Sequence, residues 1–195
     1  MEDTSITLLV RLQRSEDSEA WLRLVSLYQP LLIGWLRKYE VQTMDVDDLV
    51  QDVLMAVSQG LKNFEHNSRA GAFRSWLRAI LVNRLRNFWR TRDRRPVVVG
   101  GSSIEERLAQ LEDPTSEFSR KWDREHDRQV LSCALEFIRP NFSAKTWEIF
   151  TRVAIHGERP ESVASSLGVS VNSVFIAKSR VLSSLRIEVA GIVES

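Results

Sequence analysis

The sequence has 195 residues, of which 43% are hydrophobic and 27% charged, and its formal net charge is +1. A single cysteine, Cys133, excludes a disulfide framework and a thiolate zinc site. The N-terminal segment is not a signal peptide, and no apolar run approaches the roughly 20 residues that a membrane-spanning helix requires. We therefore expect a cytoplasmic protein that does not insert into a membrane. A net charge near zero does not exclude nucleic acid, because partner choice follows where the charge lies.

Apolar residues recur at helical spacing along most of the chain, and no segment shows convincing strand alternation. The pattern predicts an all-α protein. Residues 96–120 contain Gly-Gly, two prolines and an acidic bias, which is typical of a linker, with one short helix at 104–111. We predict two small helical domains, a larger one at 1–95 and a smaller one at 121–195, joined by this linker.

Residues 41–60 contain four aspartates and no lysine or arginine. At about 100° per residue, the apolar side chains of this segment fall on one face of a helix, and four other side chains fall on the opposite face. These four are Asp48, Gln51, Asp52 and Met55. A methionine stands where a solvated face would suit a charged residue. Two interpretations stay open, a docking surface for a basic helical partner and a merely solvated face.

Residues 69–95 hold nine arginines and one acid, interleaved with aromatic residues. Phe73 and Trp76 recur at helical steps with leucines, so we expect them in the core. The arginines need another explanation, because like charges four residues apart destabilise a helix and a solvated face normally mixes signs. The segment therefore predicts a polyanionic partner.

The same segment carries groups that suit single-stranded nucleic acid, whose bases stack on aromatic rings and offer their edges to polar side chains. Trp89 is the aromatic residue that we expect to be partly exposed. The preceding polar loop, 63–71, would form the rim of a pocket for an extruded base. The candidate contacts are Arg74, Arg78, Asn83, Asn87, Trp89 and Arg90.

Residues 159–186 carry the spacing of a helix-turn-helix motif. Pro160 suits the start of a first helix, Gly168 the turn, and Ser170 the cap of a second helix. In such a motif the second helix enters the major groove of DNA. The residues expected at the DNA are Ser170, Val171, Asn172, Phe175, Ile176 and Ser179, with Lys178, Arg180 and Arg186 at phosphates. For Phe175 and Ile176 a second interpretation stays open, in which both side chains are buried within the domain.

With these three segments in this order, the chain resembles the extracytoplasmic-function (ECF) group of bacterial RNA polymerase sigma factors. DVDDLVQDVLMAV, at 45–57, looks like the polymerase-binding helix of that family. FRSWLRAILVNRLRNFWRTRDRR, at 73–95, looks like its promoter-melting helix, and LGVSVNSVFIAKSRVLSSLR, at 167–186, looks like its upstream-element reader.

The resemblance implies a sigma domain 2 and a sigma domain 4 joined by a flexible linker. It implies that the face with Asp48 and Met55 binds the clamp coiled coil of the polymerase β′ subunit. The arginine segment would hold the unpaired strand of the −10 promoter element, and residues 170–180 would lie in the major groove of the −35 element. No catalytic residue, metal or cofactor is required, because a sigma factor shifts a melting equilibrium by binding the open form better.

One departure from the family concerns the second helix of the motif. The family often has Lys, Ser and Arg where this chain has Phe175, Ile176 and Ala177. The upstream element would then be read through Asn172, through thymine methyl groups or through DNA shape. The promoter sequence is not implied. No added sensor domain is apparent, so regulation by an anti-sigma factor, by transcriptional control or by modification stays open.

Three other functions stay open. A helix-turn-helix regulator that acts without polymerase would leave the face with Asp48 and Met55 unexplained. A scaffold that binds no nucleic acid conflicts with the arginine segment. An enzyme is disfavoured, because His66, His126 and His156 are scattered and no metal, phosphate-binding or nucleophile motif is present. We expect these histidines at surface or capping positions.

Overall fold

The computed structural model describes residues 8–14, 17–65, 71–91, 103–190 and 192. Within these residues the regular structure is helical, and none of it is strand. The predicted all-α class is therefore confirmed. The search for a helix long and apolar enough to cross a membrane, made over the same residues, finds none.

The helices are α1 (Leu8–Arg14), α2 (Ser18–Lys38), α3 (Thr43–Leu61), α4 (Ala72–Thr91), α5 (Ile104–Glu112), α6 (Glu117–Ile138), α7 (Ala144–Phe150), α8 (Pro160–Leu167) and α9 (Val171–Val189). A 3-10 turn at Arg139–Asn141 precedes α7, and a π-helical turn at Thr151–Ile155 follows it. The chain divides into two compact units. The first unit contains α1 to α5 with α6 up to Val130, and the second unit contains Leu131–Ala190.

The first unit is built on the apolar stripes of α2, α3 and α4. The stripe of α3 shows the pattern best, since its apolar side chains follow steps of three and four residues and are buried. These side chains are Val46, Leu49, Val50, Val53, Leu54 and Val57. The end of α3 approaches α4 closely at Gly60, where a Cβ atom would lie 2.7 Å from Cζ2 of Trp76. A glycine at this position therefore allows the two helices to pack.

Helix α5 lies inside the stretch predicted as a linker, and its predicted short helix is confirmed. A capping box begins it: Ser103 Oγ accepts from the Glu106 N–H at 3.1 Å, and the Glu106 carboxylate accepts from the Ser103 N–H at 2.9 Å. Ile104, Leu108 and Leu111 are buried, so α5 is an integral part of the first unit. Residues 96–102 of the predicted linker lie outside the described residues.

The first half of α6 also belongs to the first unit, which differs from the boundary predicted at residue 120. Trp122 is fully buried, and its ring meets that of Trp35 edge to face with the centroids 5.2 Å apart. Its indole N–H donates to the carbonyl of Arg74 at 3.1 Å. The division between the units therefore falls after Val130.

The second unit contains the helix-turn-helix motif where the sequence predicts it. Pro160 is in the first turn of α8, and Ser170 caps α9 by accepting from the Ser173 N–H at 3.1 Å. Gly168 ends α8 in the left-handed conformation, with φ of 60°. The following Val169 N–H donates back into α8 at 3.0 Å, as in a Schellman turn.

A small core fixes the angle between α8 and α9. It consists of Ile149, Val153, Val163, Ala164, Val174 and Ala177. The guanidinium of Arg152, in the π-helical turn, contacts the Glu158 carboxylate at 2.6 Å and Ser166 Oγ of α8 at 2.7 Å. A charge-assisted hydrogen bond to Ser166 thus ties the π-helical turn to α8, and the ion pair with Glu158 fixes the segment that precedes α8.

Candidate nucleic-acid and protein interfaces

The polar face predicted on α3 is exposed to solvent. Asp48, Gln51 and Asp52 are exposed, and the side chain of Met55 is 58% exposed. Met44, which the sequence reasoning missed, is 77% exposed. Eleven residues bring an α-helix back to within about 20° of the same direction, so Met44 extends the same stripe by a further turn. Continuing the helical pattern to the first turn of α3 would have found it.

We call this stripe, from Met44 to Met55, the acidic face of α3. It is about 16 Å long at 1.5 Å per residue. Helix α3 contains no lysine or arginine, so the two carboxylates of this face, Asp48 and Asp52, have no cation on the same helix. Exposed methionines at both ends add adaptable apolar surface. The combination suits a partner helix that carries basic and apolar side chains on one side.

The outer side of α4 carries part of the predicted nucleic-acid site. Asn83, Asn87 and Arg90 are exposed, and so are the small residues Ser75 and Ala79 on the same side. Two amides and a guanidinium lie on this surface, and the small side chains leave room beside them. The surface is therefore able to accept a strand with its phosphates and base edges.

Arg74 and Arg78 are placed differently from the prediction, because both hold carboxylates of α6. Nη1 of Arg74 is 2.8 Å and 3.0 Å from the two carboxylate oxygens of Asp127. Nη1 of Arg78 is 3.3 Å from Oδ1 of Asp123, and its side chain is only 7% exposed. The acids lie about 50 residues further along the chain, so no local pattern could pair them with these arginines.

The titration of these groups follows from their surroundings. Burial lowers the pKa of Arg78, and the charge of Asp123 opposes that shift. Burial alone would raise the pKa of Asp127, but the hydrogen bond from His126 and the charge of Arg74 outweigh it, so this pKa lies below its usual range. The ionised carboxylate is therefore the form that holds α6 to α4.

Arg86 is also paired inside the first unit. Its guanidinium bonds Glu105 at 2.9 Å and Glu112 at 2.8 Å, and both acids come from α5. The hydrogen bond with Glu112 raises the pKa of Arg86 and lowers that of Glu112. These groups are more exposed than Arg78, so each pair contributes little to stability.

Trp89 and His126 require corrections. Trp89 is 6% exposed and meets Phe88 edge to face at 4.9 Å, so it forms part of the core and offers no stacking surface.

His126 is fully buried, with Nε2 3.1 Å from the Tyr28 hydroxyl and Nδ1 3.0 Å from Asp127. His156 is exposed, as predicted, and His66 lies outside the described residues together with residues 67–70 of the predicted loop 63–71. No group of three or more side chains in the described part of the chain could hold a metal ion.

The outward side of α9 presents most of the residues predicted at the DNA. Ser170, Asn172, Ser179 and Arg180 are exposed, and Phe175 and Ile176 are 52% and 51% exposed, so burial of that pair is ruled out. Two positions differ. Val171 is half-buried and packs on the core of the motif, because it opens the helix just after the turn. Lys178 is half-buried at the side of the helix.

Comparison with known proteins connects these surfaces to a family. The model of sigma-70 region 2 matches residues 24–95, from within α2 to beyond α4. The chain is 29% identical to the RNA polymerase sigma factor NccH of Alcaligenes xylosoxydans xylosoxydans over 89% of each chain. It is 28% identical to the RNA polymerase sigma factor CnrH of Cupriavidus metallidurans over 82% of this chain and 81% of that one. The ECF RNA polymerase sigma-E factor of Haemophilus influenzae is 34% identical over 48% of this chain and 47% of that one.

A solved structure of CnrH in complex with the cytosolic domain of CnrY has a TM-score of 0.38 and 24% identity, and the match covers 91% of this chain and 92% of that one. The sequence matches define the class that the chain resembles: it contains a segment that matches sigma-70 region 2, and it is similar over most of its length to RNA polymerase sigma factors. One of these relatives, the sigma-E factor, is named as a member of the ECF group. The alternative of a regulator that acts without polymerase leaves the match at 24–95 unexplained.

Proposed function

We propose that the protein is a sigma factor that binds core RNA polymerase through the acidic face of α3 and directs the polymerase to promoters that it recognises and melts. The observation that carries the proposal is the exposed stripe with Asp48, Asp52 and two methionines, which lies inside the segment that matches sigma-70 region 2. Its partner would be the basic clamp coiled coil of the β′ subunit. The role requires no catalytic residue, metal or cofactor.

For promoter melting, the proposal assigns strand binding to the outer side of α4. Asn83, Asn87 and Arg90 would hold the unpaired −10 strand, since they are the exposed members of the predicted set. Arg74 and Arg78 would act as positioning residues that fix α6 against α4. The melted form is favoured because these groups contact a strand that is available only after the duplex opens.

For promoter recognition, the proposal places α9 in the major groove of the −35 element. Asn172 and Ser179 would reach base edges, while Lys178 and Arg180 at the sides of the helix would contact phosphates. The capped N-terminus of α9 at Ser170 would lie near the DNA backbone.

Charge reversal tests the polymerase interface. Changing Asp48 and Asp52 to Lys should abolish binding of core polymerase, because attraction to a basic helix becomes repulsion. The control is Asp47→Lys, an exposed aspartate on the same helix about 100° away from Asp48. Pull-down of core polymerase with each full-length variant measures the effect. Equal binding by the double variant and the control would remove the docking proposal.

Permanganate footprinting tests the melting surface. Arg90→Ala should reduce the reactivity of unpaired promoter thymines more than it reduces closed-complex binding, because Arg90 would contact the open strand. Arg78→Ala should instead lower thermal stability, since it removes the more buried of the two cations at Asp123 and leaves only the 3.5 Å contact with Arg74. Equal losses of closed and open complexes in Arg90→Ala would contradict the melting role.

Control by an anti-sigma factor stays a prediction from the resemblance. Affinity capture with the full chain, from cells that express it, would test this prediction. A captured protein that competes with core polymerase would support it, and capture of polymerase subunits alone would count against it.

A further inference from the structure

The outward side of α9 has an unusual distribution of side chains. The inward side is defined by Val174, Ala177 and Val181, all buried. At about 100° per residue, the direction opposite to them is occupied by Asn172, Ser179 and Ser183, which are exposed and short. Phe175 and Ile176 leave the helix about 50° to either side of this polar line. Two apolar side chains therefore flank a line of small polar ones.

These two side chains are the large exposed apolar groups of the first two turns of α9. Phe175 is 52% exposed and Ile176 is 51% exposed, so about half of each surface is available to a ligand. Both are bulkier than the asparagine and serines between them. On entry into a groove, the apolar pair would meet the base edges together with Asn172.

The polar groups on this surface do not suit guanine. Guanine is read mainly by arginine or lysine through bidentate bonds to O6 and N7. The cations of this part of α9, Lys178 and Arg180, leave the helix about 90° or more from the polar line, which directs them to the sides of a groove. Asn172 has the amide that pairs with adenine, and apolar side chains contact the 5-methyl group of thymine. The chemistry of the surface therefore matches A·T base pairs.

The charges around the apolar pair favour DNA over an apolar protein partner. Lys178, Arg180 and Arg186 are the charged residues of α9 up to its last turn, and its first acid is Glu188. Phe175 and Ile176 have only cations as charged neighbours on this part of α9. They therefore suit a ligand whose apolar groups have negative charges on both sides. The major groove of a thymine-containing duplex is such a ligand, since methyl groups line its floor and phosphates line its edges.

We infer that Phe175 and Ile176 read thymine methyl groups, so that the upstream element of this sigma factor is rich in A·T base pairs. The inference rests on the proposed function, because it specifies which duplex α9 recognises. Asn172 supplies the adenine contact between the two apolar side chains. The affinity of the holoenzyme for its element then depends on the methyl groups themselves, a dependence that a deoxyuridine substitution removes without changing base pairing.

The experiment uses the full chain with core polymerase. Duplexes that carry a randomised upstream element are selected by binding, and the recovered element is synthesised with thymine or with deoxyuridine. Each contacted methyl group that is lost should weaken binding by about fourfold, the value for one buried carbon. The double variant F175A/I176A should bind both duplexes equally. The control is Ile187→Ala, an exposed isoleucine in the last turns of the same helix, which should keep the wild-type preference for thymine.

An A·T-rich element with a deoxyuridine penalty that disappears in the double variant would support the inference. A G·C-rich element, or a duplex whose affinity is unchanged by deoxyuridine, would overturn it and leave the sigma-factor role intact. Loss of core binding by a double variant whose circular dichroism matches that of the wild type would also overturn it, because the pair would then contact protein. Failure to select any element with a chain that binds core polymerase would contradict promoter recognition itself. The deoxyuridine comparison needs only the wild-type chain, so it stays decisive even if the double variant does not fold.

Discussion

Replacing Trp122 with alanine is expected to lower the free energy of unfolding of the first unit by about 4 kcal/mol. The sequence predicts that a new domain begins at residue 121, close to this tryptophan. The structure instead buries its ring fully against Trp35 and has its indole N–H donate to the carbonyl of Arg74. The size of the loss therefore measures whether the first half of α6 belongs to the first unit.

The magnitude follows from the surface that the indole removes from water. A buried tryptophan covers about 200 Å², and at about 25 cal/mol per Å² this contributes about 5 kcal/mol as an upper estimate. The edge-to-face contact with Trp35 and the hydrogen bond to Arg74 each add about 1 kcal/mol. Partial collapse of the cavity and the compactness of the unfolded chain reduce the total, which gives a net value near 4 kcal/mol. Trp122→Phe should cost about half as much, because it keeps most of the ring.

Urea denaturation of the full chain, followed by circular dichroism, measures the loss. The matched control is Phe118→Ala, since Phe118 lies one turn earlier in α6 and is 36% exposed. We expect the control to change the midpoint little and Trp122→Ala to lower it clearly. A loss below about 1 kcal/mol for Trp122→Ala, or an equal loss for the control, would refute the assignment of this half of α6 to the first unit.

Three further predictions concern charge and backbone. Arg90→Gln should lower the slope of log affinity against log salt by about 0.7 for single-stranded promoter DNA, because one phosphate contact is lost, whereas Arg86→Gln should leave the slope unchanged. Asp127→Asn should make the free energy of unfolding fall less steeply at acidic pH. The pKa of Asp127 is lowered in the folded state, so its ionised carboxylate stabilises the fold above the ordinary pKa of about 3.9. This contribution is lost as the pH falls from there through the lower folded-state pKa. Urea midpoints at several pH values measure this, and Glu117→Gln, at an exposed acid of the same helix, should leave the profile unchanged. Gly168→Ala should destabilise the second unit by about 1 kcal/mol in thermal melting, because alanine is strained at a φ of 60° even though space for its Cβ is free.

Features with a local sequence signal were predictable. Helical periodicity gave α3, and Gly168 between two apolar faces gave the turn of the helix-turn-helix motif. The exposure of the acidic face of α3 follows from the same periodicity. These inferences need only neighbours within a few turns.

Features that depend on distant pairing were not predictable. The carboxylates that engage Arg74 and Arg78 come from α6, far along the chain, so an arginine-rich helix looked free for phosphate when two of its cations were already engaged. Trp89 was misjudged for a different, local reason. It lies four residues after the buried Leu85, so helical periodicity already places it on the inward side of α4.

The burial of Trp122 limits where the chain can be truncated without exposing the core of the first unit. A fragment that stops at residue 95 would lack both α5 and the indole that covers Trp35, and would leave the ring of Tyr28 without its histidine neighbour. Such a fragment would expose apolar surface that is buried in the full chain, and it would tend to self-associate or to bind other proteins nonspecifically. Truncations that extend to Val130 keep those side chains covered, and binding measured with them would report on the native surface of the first unit.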